Sequence, residues 1–146
     1  RGRYEEAEGL LHRVLAGRPA PADLALAANN LAFLLSARSG KHDDALALLR
    51  QAREAVGPSP DLSDTEGLVL LAKQDRAAAV EAFADSLSAG GGPVVRYHLA
   101  AAHHAGGNKL RAAADWAVAL RGGLTQLDLH PLERPGYERL KDALGR

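Results

Sequence analysis

Histidine is the residue type in this chain whose side chain could bind a metal ion or transfer a proton near neutral pH. Three of the six histidines lie in one stretch, RYHLAAAHHAGG at residues 96–107. Because a helix turns by about 100° per residue, His98, His103 and His104 would point to three sides of it, about 120° apart. Metal ligands on one helix need a spacing of three or four residues, as in HExxH, and no two histidines of the chain have that spacing. The sequence therefore predicts no metal ion and no cofactor.

Two other clusters contain residue types that could act as a reactive site. Residues 42–44 (HDD) combine an acid and a base, but they open a predicted helix, where exposed backbone N–H groups stabilise carboxylates. Residues 90–92 (GGG) could surround a phosphate, but the lysine and the serine or threonine of a phosphate-binding loop are missing. We predict a helix start and a turn at these positions. We expect a chain that is not an enzyme and has no catalytic residue.

The overall composition excludes several classes of partner. Lys plus Arg and Asp plus Glu number 18 each, so the net charge is zero and no basic footprint for nucleic acid or an anionic membrane is expected. The absence of cysteine excludes disulfides and thiolate metal sites. No apolar run approaches the roughly 20 residues that cross a bilayer. We expect a soluble chain without membrane insertion or nucleic-acid binding, in either the cytoplasm or the periplasm.

Helix-forming residues dominate the sequence. Alanine, leucine, arginine and glutamate recur at helical spacing, as in Leu31, Leu34 and Leu35. The alternation of apolar and polar residues that indicates a strand is almost absent. Glycine and proline interrupt the pattern at residues 17–21, 39–40, 57–60, 90–93 and 106–107. The chain is predicted to be all-α, with about seven helices before the final segment.

Four of these helices repeat one pattern. GRYEEAEGLLHRVL, GKHDDALALLRQAR, QDRAAAVEAFADSL and GNKLRAAADWAVAL align without gaps, and each has an alanine followed four residues later by a large apolar residue. The pairs are Ala7 and Leu11, Ala45 and Leu49, Ala79 and Phe83, and Ala112 and Trp116. The preceding helices NNLAFLL, DTEGLVLL and YHLAAAHH align on Ala32, Gly67 and Ala100. Since two helices approach closely only at small residues, we predict crossings of Ala32 with Ala45, Gly67 with Ala79, and Ala100 with Ala112.

These phrases resemble the tetratricopeptide repeat family, and NNLAFLL, DTEG and YHLA resemble its bacterial members. The resemblance implies a right-handed superhelical solenoid of antiparallel helix pairs with a C-terminal capping helix. Residues 1–121 would hold three and a half repeats. The half repeat is the second helix of an incomplete pair, at 2–16, and the complete repeats lie at 22–57, 61–89 and 93–121. Residues 122–146 would form the cap. One departure is Gln74, which stands where a turn glycine is usual.

The two ends of the repeat array differ. Near the C-terminus, GYERLKDAL places Tyr137, Leu140 and Leu144 on one helical face, which is typical of a cap. At the start, an apolar face has no partner helix; it consists of Tyr4, Leu10, Leu11, Val14 and Leu15. We expect this first helix either to pack on residues 24–35 or to form a homodimer with a second copy. We also expect the chain to be a fragment of a longer protein, because it begins without methionine and within a repeat.

Stacked helix pairs leave the first helix of each pair on a concave surface, where solenoids hold a peptide or a partner helix. Helical positions relative to Ala32, Gly67 and Ala100 predict which residues line this groove. They are Asn29, Asn30, Phe33, Asp64, Leu68, Tyr97, Ala101 and His104. The side-chain amides of Asn29 and Asn30 could form hydrogen bonds with a partner's backbone. Phe33 and Tyr97 could anchor the partner through aromatic contacts. The set has no lysine or arginine, so we do not expect the clamp that some family members form around a C-terminal carboxylate.

The predicted function is a non-catalytic protein–protein interaction module or scaffold. Its partner would be a protein or peptide, whose identity the sequence does not give. Two alternatives stay open. The chain could be an accessory domain of a larger enzyme or export assembly, or it could be a self-association module that pairs through its first helix.

Overall fold

A computed structural model describes residues 2–145, so Arg1 and Arg146, which begin and end the predicted domain ranges, lie outside the described residues. The described residues form eight α-helices and a short 3-10 turn at Gln126–Asp128, and they contain no strand. The helices are α1 (Gly2–Ala16), α2 (Pro21–Ser39), α3 (His42–Val56), α4 (Pro60–Ala72), α5 (Arg76–Ser88), α6 (Pro93–Ala105), α7 (Lys109–Arg121) and α8 (Arg134–Leu144). The all-α prediction is confirmed.

Successive helices pack as pairs. The pairs are α2 with α3, α4 with α5, and α6 with α7. The first helices also contact one another in order, α2 with α4 and α4 with α6. This is the arrangement of a helical-repeat solenoid, in which each pair buries its apolar surface against its neighbours.

Each first helix starts in the same way. Pro21, Pro60 and Pro93 are the first residues of α2, α4 and α6. Proline suits this position because its fixed φ is already helical and the N–H that it lacks would have no partner within the helix. The repeated proline therefore sets the same starting point in all three pairs.

The turn inside each pair also repeats. Gly40, Gln74 and Gly107 have left-handed φ angles of 64°, 69° and 78°. Glycine adopts this conformation freely, whereas a side chain in it costs about 1–2 kcal/mol. Gln74 thus takes the backbone conformation that glycine takes in the other two pairs, and the repeat geometry is kept despite the unusual residue.

Small residues at the predicted helix crossings are completely buried. Ala32 in α2, Ala100 in α6 and Ala112 in α7 each have 0% of their surface exposed. At Gly67 in α4, an added Cβ atom would overlap the ring of Phe83, which is itself fully buried. The missing side chain of Gly67 therefore makes room for an aromatic ring from the second helix of the pair.

Replacing Ala112 with leucine is expected to lower the free energy of unfolding by about 1–3 kcal/mol, because the larger side chain overpacks a closed crossing. Urea denaturation measures this change. Ala113→Leu is the matched control, since Ala113 is exposed on the same helix; its effect should stay within about 0.5 kcal/mol. An Ala112→Leu chain as stable as the wild type would contradict the crossing.

The C-terminal segment covers the last helix pair. α8 packs on α7, and Tyr137 and Leu140 are buried in one cluster with Trp116. Trp116 Nε1 also donates a hydrogen bond to the backbone oxygen of Gly145 at 2.9 Å. Trp116 is therefore a core residue that joins the last pair to the cap, because α8 follows where another pair would.

The first helix, α1, packs on α2, which is the first of the two arrangements expected for it. Leu15 packs against the core of the first pair. Arg38 of α2 lies 5.1 Å from the ring centre of Tyr4 and forms an ion pair with a glutamate of α1 at 2.9 Å. Leu10 and Val14 remain 54% and 42% exposed. Pairing of this face with a second copy stays a prediction.

Candidate functional site

A cavity of about 610 Å³, which we call the groove, opens beside the first helices of the three pairs. Side chains of α2, α4 and α6 line it, and α1 and residues 130–133 supply the rest of the wall. Five of the eight residues predicted for the groove lie here: Asn29, Asn30, Phe33, Asp64 and Leu68. The structure thus brings the predicted residues of α2 and α4 together in one cavity, and their role in binding a partner stays a prediction.

The three predicted groove residues from α6 lie elsewhere. Tyr97 is 4% exposed, and its ring centre is 6.3 Å from that of Trp116 and 5.8 Å from that of Tyr137. Ala101 is half-buried against the same cluster. His104 is half-buried, and its Nδ1 has no hydrogen-bond partner among the described residues. The expectation of Tyr97 as an open aromatic anchor is therefore corrected, since the cap covers this face of the last pair.

Two other histidines considered from the sequence have structural surroundings. His103 faces α7, with its Nε2 3.7 Å from a carboxylate oxygen of Asp115. His42 opens α3, and its Nδ1 lies 2.9 Å from the hydroxyl oxygen of Ser36 in α2. Each contact joins the two helices of one pair, so these histidines support the fold.

His98 is the functional candidate that sequence reasoning missed. It is 3% exposed on α6. Its Nδ1 is 2.7 Å from Asp64 Oδ1, and its Nε2 is 2.6 Å from Glu133 Oε1. Asp64 belongs to α4 and Glu133 immediately precedes α8, so one imidazole joins two first helices to the cap. We call these three residues the His98 clamp.

The clamp holds a positive charge inside the protein. Burial by itself lowers the pKa of His98, but the charge of Asp64 and the hydrogen bonds to both carboxylates outweigh burial and raise the pKa to about 9. Burial raises the pKa of Glu133, but the hydrogen bond to His98, the charge of His98 and the contacts with His130 together lower it by more, so the net direction is down. At neutral pH the clamp is therefore an imidazolium that donates one N–H to each carboxylate.

This protonation state decides what the clamp can do chemically. A doubly protonated imidazole has no free nitrogen lone pair, so at neutral pH it neither binds a metal ion nor accepts a proton as a general base. Over residues 2–145, no group of three His, Cys, Asp or Glu side chains is placed to hold a metal ion. The clamp supplies a fixed charge and two directed hydrogen bonds.

Residues 129–133 (LHPLE) lie against the groove, and we call them the strap. The ring centre of His130 is 4.8 Å from that of Phe33, in an edge-to-face arrangement, and 5.9 Å from that of Tyr4. Burial lowers the pKa of His130, so this ring is neutral at neutral pH. Glu133 Oε2 accepts a hydrogen bond from the backbone N–H of His130 at 3.1 Å. The strap therefore occupies part of the surface that the sequence predicted to be free for a partner.

The wall of the groove is mainly apolar. Leu11, Phe33, Leu68 and Val94 supply apolar side chains from four different helices, and none of the lysines and arginines within residues 2–145 lines the cavity. Asn29 Oδ1 is buried and has no hydrogen-bond partner among residues 2–145. A buried acceptor without a donor costs free energy, so this oxygen is a place where an incoming N–H group would be stabilised.

Comparison with protein-family models and with curated proteins finds no match to this sequence. Within residues 2–145, none of the helices combines the length and apolar character needed to span a membrane.

Proposed function

We propose that this chain is a non-catalytic interaction module of the tetratricopeptide type, which binds a peptide segment of a protein partner in the groove. The observation that carries the proposal is a cavity of about 610 Å³ lined by three successive first helices. Ligand-binding cavities in proteins commonly measure about 300–1,000 Å³ and combine apolar walls with a few polar groups. The groove has this size and composition, and it could receive several side chains of a peptide.

Three residues give the groove its capacity for recognition. Phe33 is half-buried and exposes part of its ring, which suits an aromatic anchor. Asn30 is exposed at the groove, and the neighbouring Asn29 has an unpaired buried oxygen. An asparagine pair beside an aromatic ring supports binding of a peptide, because the amides bond to its backbone while the ring contacts a side chain.

Peptides selected on the wild-type chain from a random library test this proposal. Phe33→Ala is expected to weaken their binding by about tenfold or more, because it removes an aromatic ring that lines the groove. Dissociation constants for the wild type and the variant would be measured by isothermal titration calorimetry. Circular dichroism of the variant checks that the helices are retained.

Leu110→Ala is the control for this measurement. Leu110 is 83% exposed on α7 and does not line the groove, so its replacement also removes an apolar side chain but leaves the proposed site intact. Binding to this variant should equal binding to the wild type. Peptides that bind the Phe33→Ala and Leu110→Ala variants equally well would reject the groove as the binding site.

A further inference from the structure

The strap already fills part of the groove with two specific contacts. The His130 ring packs on Phe33 at 4.8 Å and on Tyr4 at 5.9 Å. Glu133 Oε1 lies 2.6 Å from Nε2 of the buried His98. Both strap residues line the cavity together with the predicted groove residues. The strap is thus a short peptide segment seen bound at the site where an external peptide is proposed to bind.

Departure of the strap would leave His98 with an unsatisfied donor. Its Nε2–H would lose the carboxylate that now lies 2.6 Å away and would face the groove, while Asp64 keeps its contact with Nδ1. A charged donor without an acceptor in an apolar groove is unfavourable, so an incoming segment that brings its own carboxylate has an advantage over one that does not. Phe33 would likewise lose its edge-to-face partner, which another ring could replace.

We propose that the groove recognises an acidic peptide segment that carries an aromatic or imidazole ring and, three residues further on, a carboxylate, and that this segment displaces the strap. The proposal rests on the function proposed above. The ring would occupy the place of His130 against Tyr4 and Phe33, and the carboxylate would replace that of Glu133 on His98. The strap is then an intramolecular competitor that resembles the partner.

The charges of the groove favour this kind of partner. Once Glu133 has left, the charged residues of the described part of the chain that line the cavity are His98 and Asp64, which neutralise each other. A second carboxylate restores the observed arrangement of one imidazolium between two acceptors. A lysine or arginine at this position of the peptide would face the positively charged ring of His98 and would be repelled.

The experiment uses the strap's own sequence as the probe. A fluorescein-labelled peptide LDLHPLERP, identical to residues 127–135, is titrated into the full chain and into a His130→Ala, Glu133→Gln double variant, with fluorescence anisotropy as the readout. We expect the peptide to bind the double variant about tenfold more tightly than the wild type, because the intramolecular competitor is weakened. A peptide with alanine for its histidine and glutamine for its glutamate should lose this gain.

A second variant keeps the test decisive if the double variant is unstable. His130→Ala alone retains the bond between Glu133 and His98, and we expect its affinity for the probe to lie between those of the wild type and the double variant. Equal binding of the probe to all three proteins would overturn the proposal. Tighter binding of a probe in which lysine replaces that glutamate would also overturn it.

Failure of this inference is distinguishable from failure of the proposed function. If the groove binds peptides but the strap does not resemble them, Phe33→Ala will weaken the binding of library peptides and the strap substitutions will leave it unchanged. If the groove is not a binding site, neither Phe33→Ala nor the strap substitutions will change the affinity for library peptides.

Discussion

The free energy of unfolding is expected to fall by about 3 kcal/mol between about pH 6 and pH 10, because His98 loses its proton in the folded chain. The pKa of His98 is raised to about 9 in the structure, whereas an unfolded histidine has a pKa of about 6.5. A group with a raised pKa stabilises the folded state fully below the unfolded value and loses that contribution as the pH rises through the folded value. The decline should therefore run from about pH 6.5 to about pH 9 and then level off.

Urea denaturation at a series of pH values, on the wild type and on a His98→Gln variant, measures this effect. The groups that face His98 are Asp64, Glu133 and Tyr97, whose ring centre is 5.2 Å away. Burial and the charge of Glu133 raise the pKa of Tyr97, so this phenol stays neutral across the range. Titrating groups outside the His98 clamp are common to both proteins and cancel in the comparison. Parallel stability profiles for the two proteins would contradict a buried imidazolium.

Replacing Trp116 with alanine is expected to lower the free energy of unfolding by about 3–5 kcal/mol. Trp116 is 3% exposed, and its ring centre lies 5.2 Å from that of Tyr137 in α8. Its loss opens a cavity between the last helix pair and the cap and removes the hydrogen bond to Gly145. Urea denaturation gives the overall cost, and limited proteolysis should show faster cleavage near α8, since this helix packs against the ring.

Trp116→Phe is the control, because it keeps an aromatic ring at the position and removes only the indole N–H. Losing a single hydrogen bond costs about 0.5–1.5 kcal/mol, and the smaller ring adds a modest packing loss. The phenylalanine variant should therefore be clearly more stable than the alanine variant. If the two variants lose equal stability, or if neither does, Trp116 does not join the cap to the repeats.

The crossings and the α2 and α4 sides of the groove follow from sequence periodicity. A small residue at a constant offset marks where two helices meet, because only small side chains permit a close approach. The position three residues before Ala32 is Asn29, and three residues before Gly67 it is Asp64. Both side chains line the groove, as the offset predicted.

Tyr97 has the same offset before Ala100, and there the rule fails. An offset within a repeat predicts the environment of a residue only if each pair has the same neighbours on both sides. The last pair packs against α8, so Tyr97 enters an aromatic cluster with Tyr137 and is buried. End effects of this kind depend on the path of the non-repeating segment.

The His98 clamp was only partly accessible to sequence reasoning. His98 and Asp64 are 34 residues apart, close to one repeat length, so their contact across neighbouring first helices was a signal that the sequence contained. Glu133 is 35 residues from His98 but lies in a segment without helical periodicity. The sequence of the strap does not predict its position in the fold, because this position depends on tertiary contacts with Phe33 and His98.

Chemical-shift mapping tests most directly whether the groove is the binding site of this chain. A peptide selected on the wild type is titrated into the ¹⁵N-labelled chain, and the backbone and side-chain amide signals are followed by NMR. We predict the largest shifts at Asn29, Asn30, Phe33 and Leu68, with little change along the exposed face of α7. Shifts confined to α3, α5 and α7, with the groove amides unchanged, would contradict a peptide-binding groove on the first helices.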